Sequence, residues 1–381
     1  MVKLVHTADI HIGKVFEQFG TFGGQLRTQI KSTFRNVMQL ALSEAADAIL
    51  ISGDLFDASS PSPADIRFFM EAVQIAKPTP VYLLPGTWTH DGFLKNYFYR
   101  SSLFLNNRPE NLFVFSSEQP ETFKLHSRSV AIHGRAVLPE SGNPVDGMKA
   151  DPEMAFNVGM LHTGIALPQL PDGLEQASLT RNQVDQSSMD YLAMGHWHVF
   201  RRYFDDSKTV VQYSGSPETL QFKDGEDSGF VAVVTLDNGR VLVEPRRVGH
   251  YRWMEQGVDC SGLASNASIT EEILKHADAN RILRVTLRGT LASKESVNLE
   301  RIYEDLSPKF AYLDLDATQL NEDLALGALE KEYRENTVEH AFVELMEQAL
   351  QDTKDASHKE ILRESLRRGH KLFQGYEGIS I

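Results

Sequence analysis

The 381-residue sequence contains a single cysteine, Cys260. One cysteine excludes an intramolecular disulfide and a zinc site built from several thiolates, so we expect a reducing compartment. The sequence also lacks any apolar run that approaches the roughly 18 residues of a membrane span. Its first residues enter a strand pattern without the layout of a signal peptide. These absences predict a cytoplasmic protein that does not contact membranes.

The sequence also lacks an excess of positively charged residues, and its formal net charge is −14 at pH 7. This charge argues against a general electrostatic attraction to nucleic acid, but it is compatible with a local site that carries bound cations. With 41% hydrophobic and 24% charged residues, the composition is that of an ordinary globular protein. The length predicts two or three domains.

The first part of the chain alternates strands and helices. Ala48–Ser52 is an aliphatic run typical of a strand buried on both faces, and Ser62-Pro63 predicts an N-cap followed by proline at the first helical position. The order strand–helix–strand–helix–strand predicts a largely parallel sheet. After Asn111, short strands without long helices between them predict a second sheet, and the strands from Val199 to Val248 are expected to be antiparallel. The expected fold is α/β, an α+β sandwich of two sheets flanked by helices.

The pattern changes near His250. Residues 250–262 show no clear pattern, and a capping box at Ser268 and Glu271 then predicts a helix. We expect a core domain at residues 1–250, a small α/β domain at 251–320 and a helical region at 321–381. Two apolar stripes are predicted in the helical region: Phe342, Leu345, Met346, Ala349 and Leu350, and then Ile361, Leu362, Leu366 and Phe373.

Five predicted strands end in histidine or aspartate side chains. Each has an ordinary explanation alone, because Asp is common in turns and helix caps and a buried His often only packs. Their recurrence needs a common cause, and the carboxyl edge of a sheet is where α/β proteins bind ligands. The groups are Asp9 and His11, Asp54 and Asp57, His90 and Asp91, His162, and His196 and His198.

Carboxylates and imidazoles without thiolates suit Mn²⁺, Fe²⁺ or Zn²⁺ better than Ca²⁺ or a structural zinc. The number of candidate ligands exceeds the needs of one ion. Two ions about 3.5–4 Å apart would share a carboxylate, and such a pair promotes in-line displacement at phosphorus. The sequence therefore predicts two divalent metal ions, with Mn²⁺ favoured.

These ordered motifs resemble the signature of the calcineurin-like metallophosphoesterases. The motifs are Asp-x-His, Gly-Asp-x-x-Asp from Gly53, Gly…His-Asp from Gly86, a lone His162 and Gly-His-x-His from Gly195. The opening His-Thr-Ala-Asp-Ile-His-Ile-Gly and the form Gly-Asp-Leu-Phe-Asp most resemble the SbcD-type nucleases of DNA double-strand-break repair. The resemblance implies a Mn²⁺-dependent DNA exo/endonuclease, a homodimer with an SbcC-type coiled-coil ATPase partner, and a capping domain that guides DNA.

The resemblance also implies a role for each matching residue. Asp9, His11 and His198 would hold the first metal, Asp54 would bridge, and His162 and His196 would hold the second. His90 would stabilise the transition state or protonate the leaving group, while the nucleophile would be a hydroxide formed at the metal pair. Asp57 and Asp91 would orient a ligand histidine or His90. For Asp57, a simple helix cap is an open alternative.

The third motif departs from the family pattern Gly-Asn-His-Asp, whose Asn is a metal ligand. Residues 86–91 read Gly-Thr-Trp-Thr-His-Asp, with two additional residues and no Asn. Thr89 precedes His90 but is a poorer ligand, so the second metal site is weaker, uses water there or uses Thr89.

Two other functions are compatible with the sequence. One is a phosphodiesterase or phosphatase that acts on a small nucleotide or other ester, which fits the acidic net charge. The other is a non-catalytic scaffold, which the missing Asn suggests.

Overall fold

The computed structural model describes residues 1–58, 61–86, 98–117, 119–135, 143–166, 178–261, 263, 265–291, 297–322 and 333–373. The chain divides into two compact units, Met1–Trp253 and Met254–Ile381. The further separation of a domain at residues 251–320 from a helical region at 321–381 stays a prediction. None of the described helices combines the length and the apolar character needed to cross a membrane.

The first sheet of the N-terminal unit forms around the aliphatic run at residues 48–52, which is buried along its whole length. Its six strands follow the order β12-β11-β1-β2-β3-β4: Arg240–Arg247, Phe230–Asp237, Val2–Thr7, Ala48–Ser52, Val81–Leu84 and Leu112–Val114. The strands β1 to β4 are parallel, and β11 and β12 are antiparallel additions. The carboxyl ends of β1, β2 and β3 therefore lie at one edge, as the alternating pattern predicted.

Two long helices follow β1 and β2 in the chain. They are α1 (Phe22–Ser43) and α2 (Pro63–Ile75). The predicted N-cap of α2 is confirmed, because the Ser62 side chain accepts a hydrogen bond from the backbone N–H of Asp65. The helices contact one another through aromatic rings, with the Phe34 and Phe69 centroids 6.0 Å apart.

The second sheet also has six strands. Their order is β5-β6-β7-β8-β10-β9: Glu121–Leu125, Val130–Gly134, Phe156–His162, Tyr191–Gly195, Val210–Tyr213 and Arg201–Tyr203. The prediction that β10 is antiparallel to its neighbours is wrong on one side, since β10 is parallel to β8 and antiparallel only to β9. In the chain, β9 lies between β8 and β10, but in the sheet β8 and β10 are neighbours and β9 is at the edge. Sequence patterns do not reveal this arrangement.

Both sheets contribute to one apolar core. Alternate residues of each strand meet there, among them Leu4, Leu50, Val158 and Tyr191. The two-sheet α/β fold expected from the sequence is confirmed. Two short helices complete the described part of this unit, α3 (Ser102–Asn107) and α4 (Arg181–Ser187).

The C-terminal unit contains a three-stranded sheet with helices. The sheet has the order β13-β14-β15, which are Arg252–Asp259, Asp278–Leu291 and Phe310–Glu322. The helices are α5 (Asn266–Leu274), α6 (Leu299–Leu306), α7 (Val338–Asp352) and α8 (Ala356–Phe373).

Two local predictions in this unit are wrong. The segment at 250–262 contains β13, whose few buried positions alternate with exposed polar ones and so leave a weak apolar signal. Helix α5 begins earlier than predicted, because Ser265 rather than Ser268 is its N-cap and accepts a hydrogen bond from the Ser268 N–H.

Candidate metal centre

The chain segments that follow β1 and β2 stay paired after the strands end. The Asp9 N–H donates to the Gly53 carbonyl at 3.1 Å, and the His11 N–H donates to the Asp54 carbonyl at 3.0 Å. Asp9, His11 and Asp54 have φ angles of 52°, 52° and 43°. Non-glycine residues rarely adopt this left-handed conformation, and such strain clusters at functional sites. The paired backbones thus hold three potential ligands side by side.

The second sheet reaches the same place through β7 and β8. The ring of His162, the last residue of β7, donates from Nδ1 to the Ser52 carbonyl at 2.8 Å. Just after β8, the His196 N–H lies 3.0 and 3.1 Å from the two carboxylate oxygens of Asp9. The site therefore lies where strand ends of both sheets meet.

Two glycines make this close approach possible. A methyl group added at Gly53, which has φ +92°, would lie 1.9 Å from His162 Nδ1. A methyl group added at Gly86 would lie 1.9 Å from Asp54 Oδ1. Any side chain at these positions would displace a candidate ligand, so the glycines of the motifs have a steric function.

Two overlapping sets of side chains could each hold a cation. We call them the His11 group (Asp9, His11 and His198) and the His162 group (Asp9, Asp54 and His162). In each group, one ligand atom per residue lies within 4.8 Å of the others. Asp54 stands between the groups, because its Oδ2 is 3.5 Å from His162 Nε2 and 3.8 Å from His11 Nε2.

The donor atoms of these groups fit divalent cations. Within the described residues, the buried Nε2 atoms of His11 and His162 have no hydrogen-bond partner, a costly arrangement that a cation would relieve. The other ring nitrogens are engaged, His11 Nδ1 with Asp57 at 2.8 Å and His162 Nδ1 with Ser52. This engagement directs both Nε2 atoms toward Asp54, in the manner of metal-binding histidines.

The electrostatics of the site follow from burial opposed by neighbouring charges. Burial alone would raise the pKa of Asp54, but His162, His11 and His196 outweigh it and hold that pKa well below its usual value. Burial would lower the pKa of His162, but Asp54 and Asp9 raise it to about 9. Burial is likewise outweighed at His198, whose pKa is raised by Asp224, Asp9 and Asp54. The site is built to hold positive charge.

Two residues that the sequence did not indicate contact His198. Asp224 Oδ2 lies 3.2 Å from His198 Nδ1, and Gln221 Nε2 donates to Asp224 Oδ1 at 2.8 Å. Asp224 is far from His198 in the chain and lies in a short 3-10 helix, Phe222–Asp227, so no motif or periodicity marked it.

Most of the predicted site residues come together in the structure. His196 is in neither ligand group, but its ring centroid is 5.5 Å from that of His162. Asp57 contacts His11 as described above, and the alternative that it caps the next helix is wrong, because the N-cap of α2 is Ser62. The predicted site residues Thr89, His90 and Asp91 lie outside the described residues. The residues that converge are Asp9, His11, Asp54, Asp57, His162, His196 and His198.

Several known proteins resemble this chain in sequence. The Bacillus subtilis protein named uncharacterized metallophosphoesterase YhaO is 26% identical over 309 residues, which cover 76% of this chain and 72% of YhaO. The SbcD-type subunit of the nuclease SbcCD of Staphylococcus epidermidis is 26% identical over 273 residues, 64% of this chain and 68% of that protein. The DNA double-strand break repair protein Mre11 of Methanopyrus kandleri is 25% identical over 314 residues, 78% of this chain and 67% of that protein.

The family model of the calcineurin-like phosphoesterases matches residues 2–200, which is more than half of the chain and includes every residue of both ligand groups. The fold, the paired ligand groups and this match lead to one conclusion: the chain belongs to the calcineurin-like phosphoesterase family.

Proposed function

We propose that the protein is a divalent-metal-dependent DNA exo/endonuclease that hydrolyses phosphodiester bonds in break repair. The observation that carries the hydrolytic part is the convergence of two ligand groups on Asp54. The DNA substrate is supported by two of the relatives, of which one is a nuclease component and the other a double-strand break repair protein.

The proposal assigns the first cation to Asp9, His11 and His198, and the second to His162 and His196, with Asp54 between them. Divalent cations bound there would lower the pKa of water and neutralise charge on a phosphoryl group. The protein's own contribution is orientation, because Asp57 and the Ser52 carbonyl keep the Nδ1 atoms of His11 and His162 engaged.

The remaining assignments follow the family pattern. His90 would stabilise the transition state or protonate the leaving oxygen, Asp91 would orient His90, and Thr89 would stand where the family has Asn. Mn²⁺ is the proposed metal, since imidazole with carboxylate suits it and Mg²⁺ prefers oxygen ligands alone.

A basic stripe on α1 supports a polyanionic substrate despite the acidic net charge. Arg27, Lys31 and Arg35 are four residues apart and so share one helix face. Lys31 Nζ is 2.7 Å from Asp65, and a methyl group added at Gly13, next to the His11 segment, would lie 3.4 Å from Asp65 Oδ2. Lys31, the middle residue of the stripe, therefore lies close to the segment that carries His11.

Phe68 contacts two of the three cations of the stripe. Lys31 Nζ lies 5.3 Å and the Arg35 guanidinium 4.7 Å from the centroid of its ring. Cations held in this way are suited to contact successive backbone phosphates.

The proposed partners are a second copy of the chain and an SbcC-type ATPase. The helical pair α7–α8 has a small core of Val343, Leu350 and Leu366. Two residues of the predicted stripes, Leu345 and Ile361, are 67% and 64% exposed. Exposed apolar side chains on these helices support a docking role for the segment.

Cleavage of linear duplex and single-stranded DNA with Mn²⁺, with and without the ATPase, tests the proposal. We expect cleavage by the wild-type protein and its loss in His90→Ala. Intact DNA under every condition would contradict a nuclease. Turnover of cyclic nucleotides or aryl phosphates far above that of DNA would favour the small-ester phosphodiesterase instead.

The α1 stripe allows a matched test of DNA contact. Arg27→Ala and Arg35→Ala should each reduce the salt dependence of DNA binding by about one unit of the log–log slope. Arg240→Ala removes an exposed arginine from β12 and should leave the slope unchanged. Equal salt dependence of DNA binding in all three variants would show that the stripe does not contact DNA.

A further inference from the structure

A buried carboxylate lies behind His198. Asp224 is 6% exposed, and its Oδ2 is 3.2 Å from His198 Nδ1. Its other oxygen, Oδ1, accepts a hydrogen bond of 2.8 Å from Gln221 Nε2. In the part of the chain that the structure describes, no Lys or Arg forms an ion pair with Asp224, so its negative charge acts mainly on the His198 ring.

The position of Asp224 is fixed by packing that does not involve the metal centre. Phe222, in the same 3-10 helix, has its ring centroid 5.0 Å from that of the buried Trp253 and 6.3 Å from that of Phe19. Just after this helix, the Ser228 hydroxyl donates to the Gly225 carbonyl at 2.9 Å. These contacts fix the 3-10 helix that carries Asp224.

The same relation occurs on the other side of the His11 group. Asp57 Oδ1 is 2.8 Å from His11 Nδ1, although it also lies 3.5 Å from Lys14 Nζ. Both imidazoles of this group therefore have a carboxylate at Nδ1, from segments that are unrelated in the chain. A carboxylate there fixes the tautomer and increases the basicity of Nε2.

We propose that Asp224, held by Gln221, is a positioning residue that orients His198 and strengthens its donation to the cation of the His11 group. This inference rests on the proposed metal role of His198 and not on the identity of the substrate.

Calorimetric titration of the metal-free full-length protein with Mn²⁺ tests it. Asp224→Asn keeps the shape of the side chain and removes its charge. We expect this variant to bind one of two Mn²⁺ ions about 10- to 100-fold more weakly, the usual effect of losing such a partner. The other ion should bind with nearly wild-type affinity, a separation that a general loss of stability would not produce.

Asp227→Asn is the matched control, because Asp227 belongs to the same 3-10 helix but has an exposed side chain. It should bind both ions as the wild-type protein does. Wild-type affinities in Asp224→Asn, or equal losses for both ions or in both variants, would overturn the inference. A wild-type protein that binds no Mn²⁺ would instead overturn the proposed metal centre itself.

Gln221→Ala keeps the inference testable if Asp224→Asn does not fold. This change leaves the carboxylate in place and removes one hydrogen bond to it. The same ion should then bind about three- to tenfold more weakly, equivalent to one hydrogen bond. Unchanged affinity would count against the role of the Asp224–Gln221 pair.

Discussion

The His11 group and the His162 group share Asp9 but differ in what lies behind their imidazoles. In the His11 group, side-chain carboxylates of Asp57 and Asp224 contact the Nδ1 atoms. In the His162 group, the corresponding partner is the backbone carbonyl of Ser52, at the end of β2. The first group is thus supported by replaceable side chains, whereas the second depends on the backbone of the sheet.

The two kinds of partner therefore have different effects on the metal centre. A side-chain carboxylate adjusts the charge on a ligand without changing the course of the chain. A backbone carbonyl can contact a ligand histidine only if two strands approach each other closely. Gly53 makes this approach possible beside His162. Substitutions behind the His11 group should therefore reduce its metal affinity in part, whereas substitutions behind the His162 group should eliminate metal binding there.

Asp54→Asn should have the largest effect, because it removes the charge that faces both groups. We expect loss of both Mn²⁺ ions and a fall of about 1000-fold or more in hydrolysis of an aryl phosphodiester, since the electrostatic contribution of the cations is lost. Calorimetry and a colorimetric assay measure these effects. Retention of two tightly bound ions would show that Asp54 does not connect the groups.

Gly53→Ala should abolish metal binding by the His162 group and leave metal binding by the His11 group. The added methyl group would lie 1.9 Å from His162 Nδ1, and φ of +92° adds strain of about 1–3 kcal/mol. We expect one Mn²⁺ ion per chain by elemental analysis. Gly239→Ala is the control, since it carries the same type of strain at φ +72° with no atom within 4 Å. Two ions in Gly53→Ala would contradict the steric account.

Asp57→Asn should weaken the His11 group without abolishing it. Because His11 Nδ1 would lose its charged partner, we expect about tenfold weaker binding of one Mn²⁺ ion. Asp65→Asn, which removes a carboxylate paired with Lys31, serves as the control in the same titration. Unchanged affinities for both ions would show that Asp57 does not support His11.

The smallest effect concerns His6, a buried histidine outside both groups. Burial lowers the pKa of His6 to about 3, whereas the carboxylates of Asp54 and Asp9 outweigh burial and raise the pKa of His162 to about 9. Between pH 3 and pH 6.5, His6 is therefore protonated in the unfolded chain but neutral in the folded chain. Stability attributable to His6 should be complete above pH 6.5 and decrease by up to about 1.4 kcal/mol per unit as pH falls toward 3.

Urea unfolding of the metal-free protein at several pH values below 7 measures this contribution. His6→Gln, which retains a polar partner for the Tyr191 hydroxyl, should have a shallower dependence of stability on pH than the wild-type protein. His126→Gln, at an exposed position, should not differ from it. Identical slopes in all three proteins would mean that burial of His6 does not determine acid sensitivity.

The sequence predicted those features that depend on local pattern. Strand β2 and the N-cap of α2 have the predicted residues, because an aliphatic run and a Ser-Pro pair act locally. Asp9, Asp54 and His162 were visible as polar residues at strand ends. In contrast, Asp224 meets His198 only through tertiary packing, and the parallel pairing of β10 with β8 depends on a strand inserted between them in the chain.

An anomalous-scattering map of crystals grown with Mn²⁺ tests the central claim most directly. The account predicts two peaks, one bounded by Asp9, His11 and His198 and the other by His162, with the Asp54 carboxylate facing both. A single peak, or two peaks of which neither contacts Asp54, would contradict it.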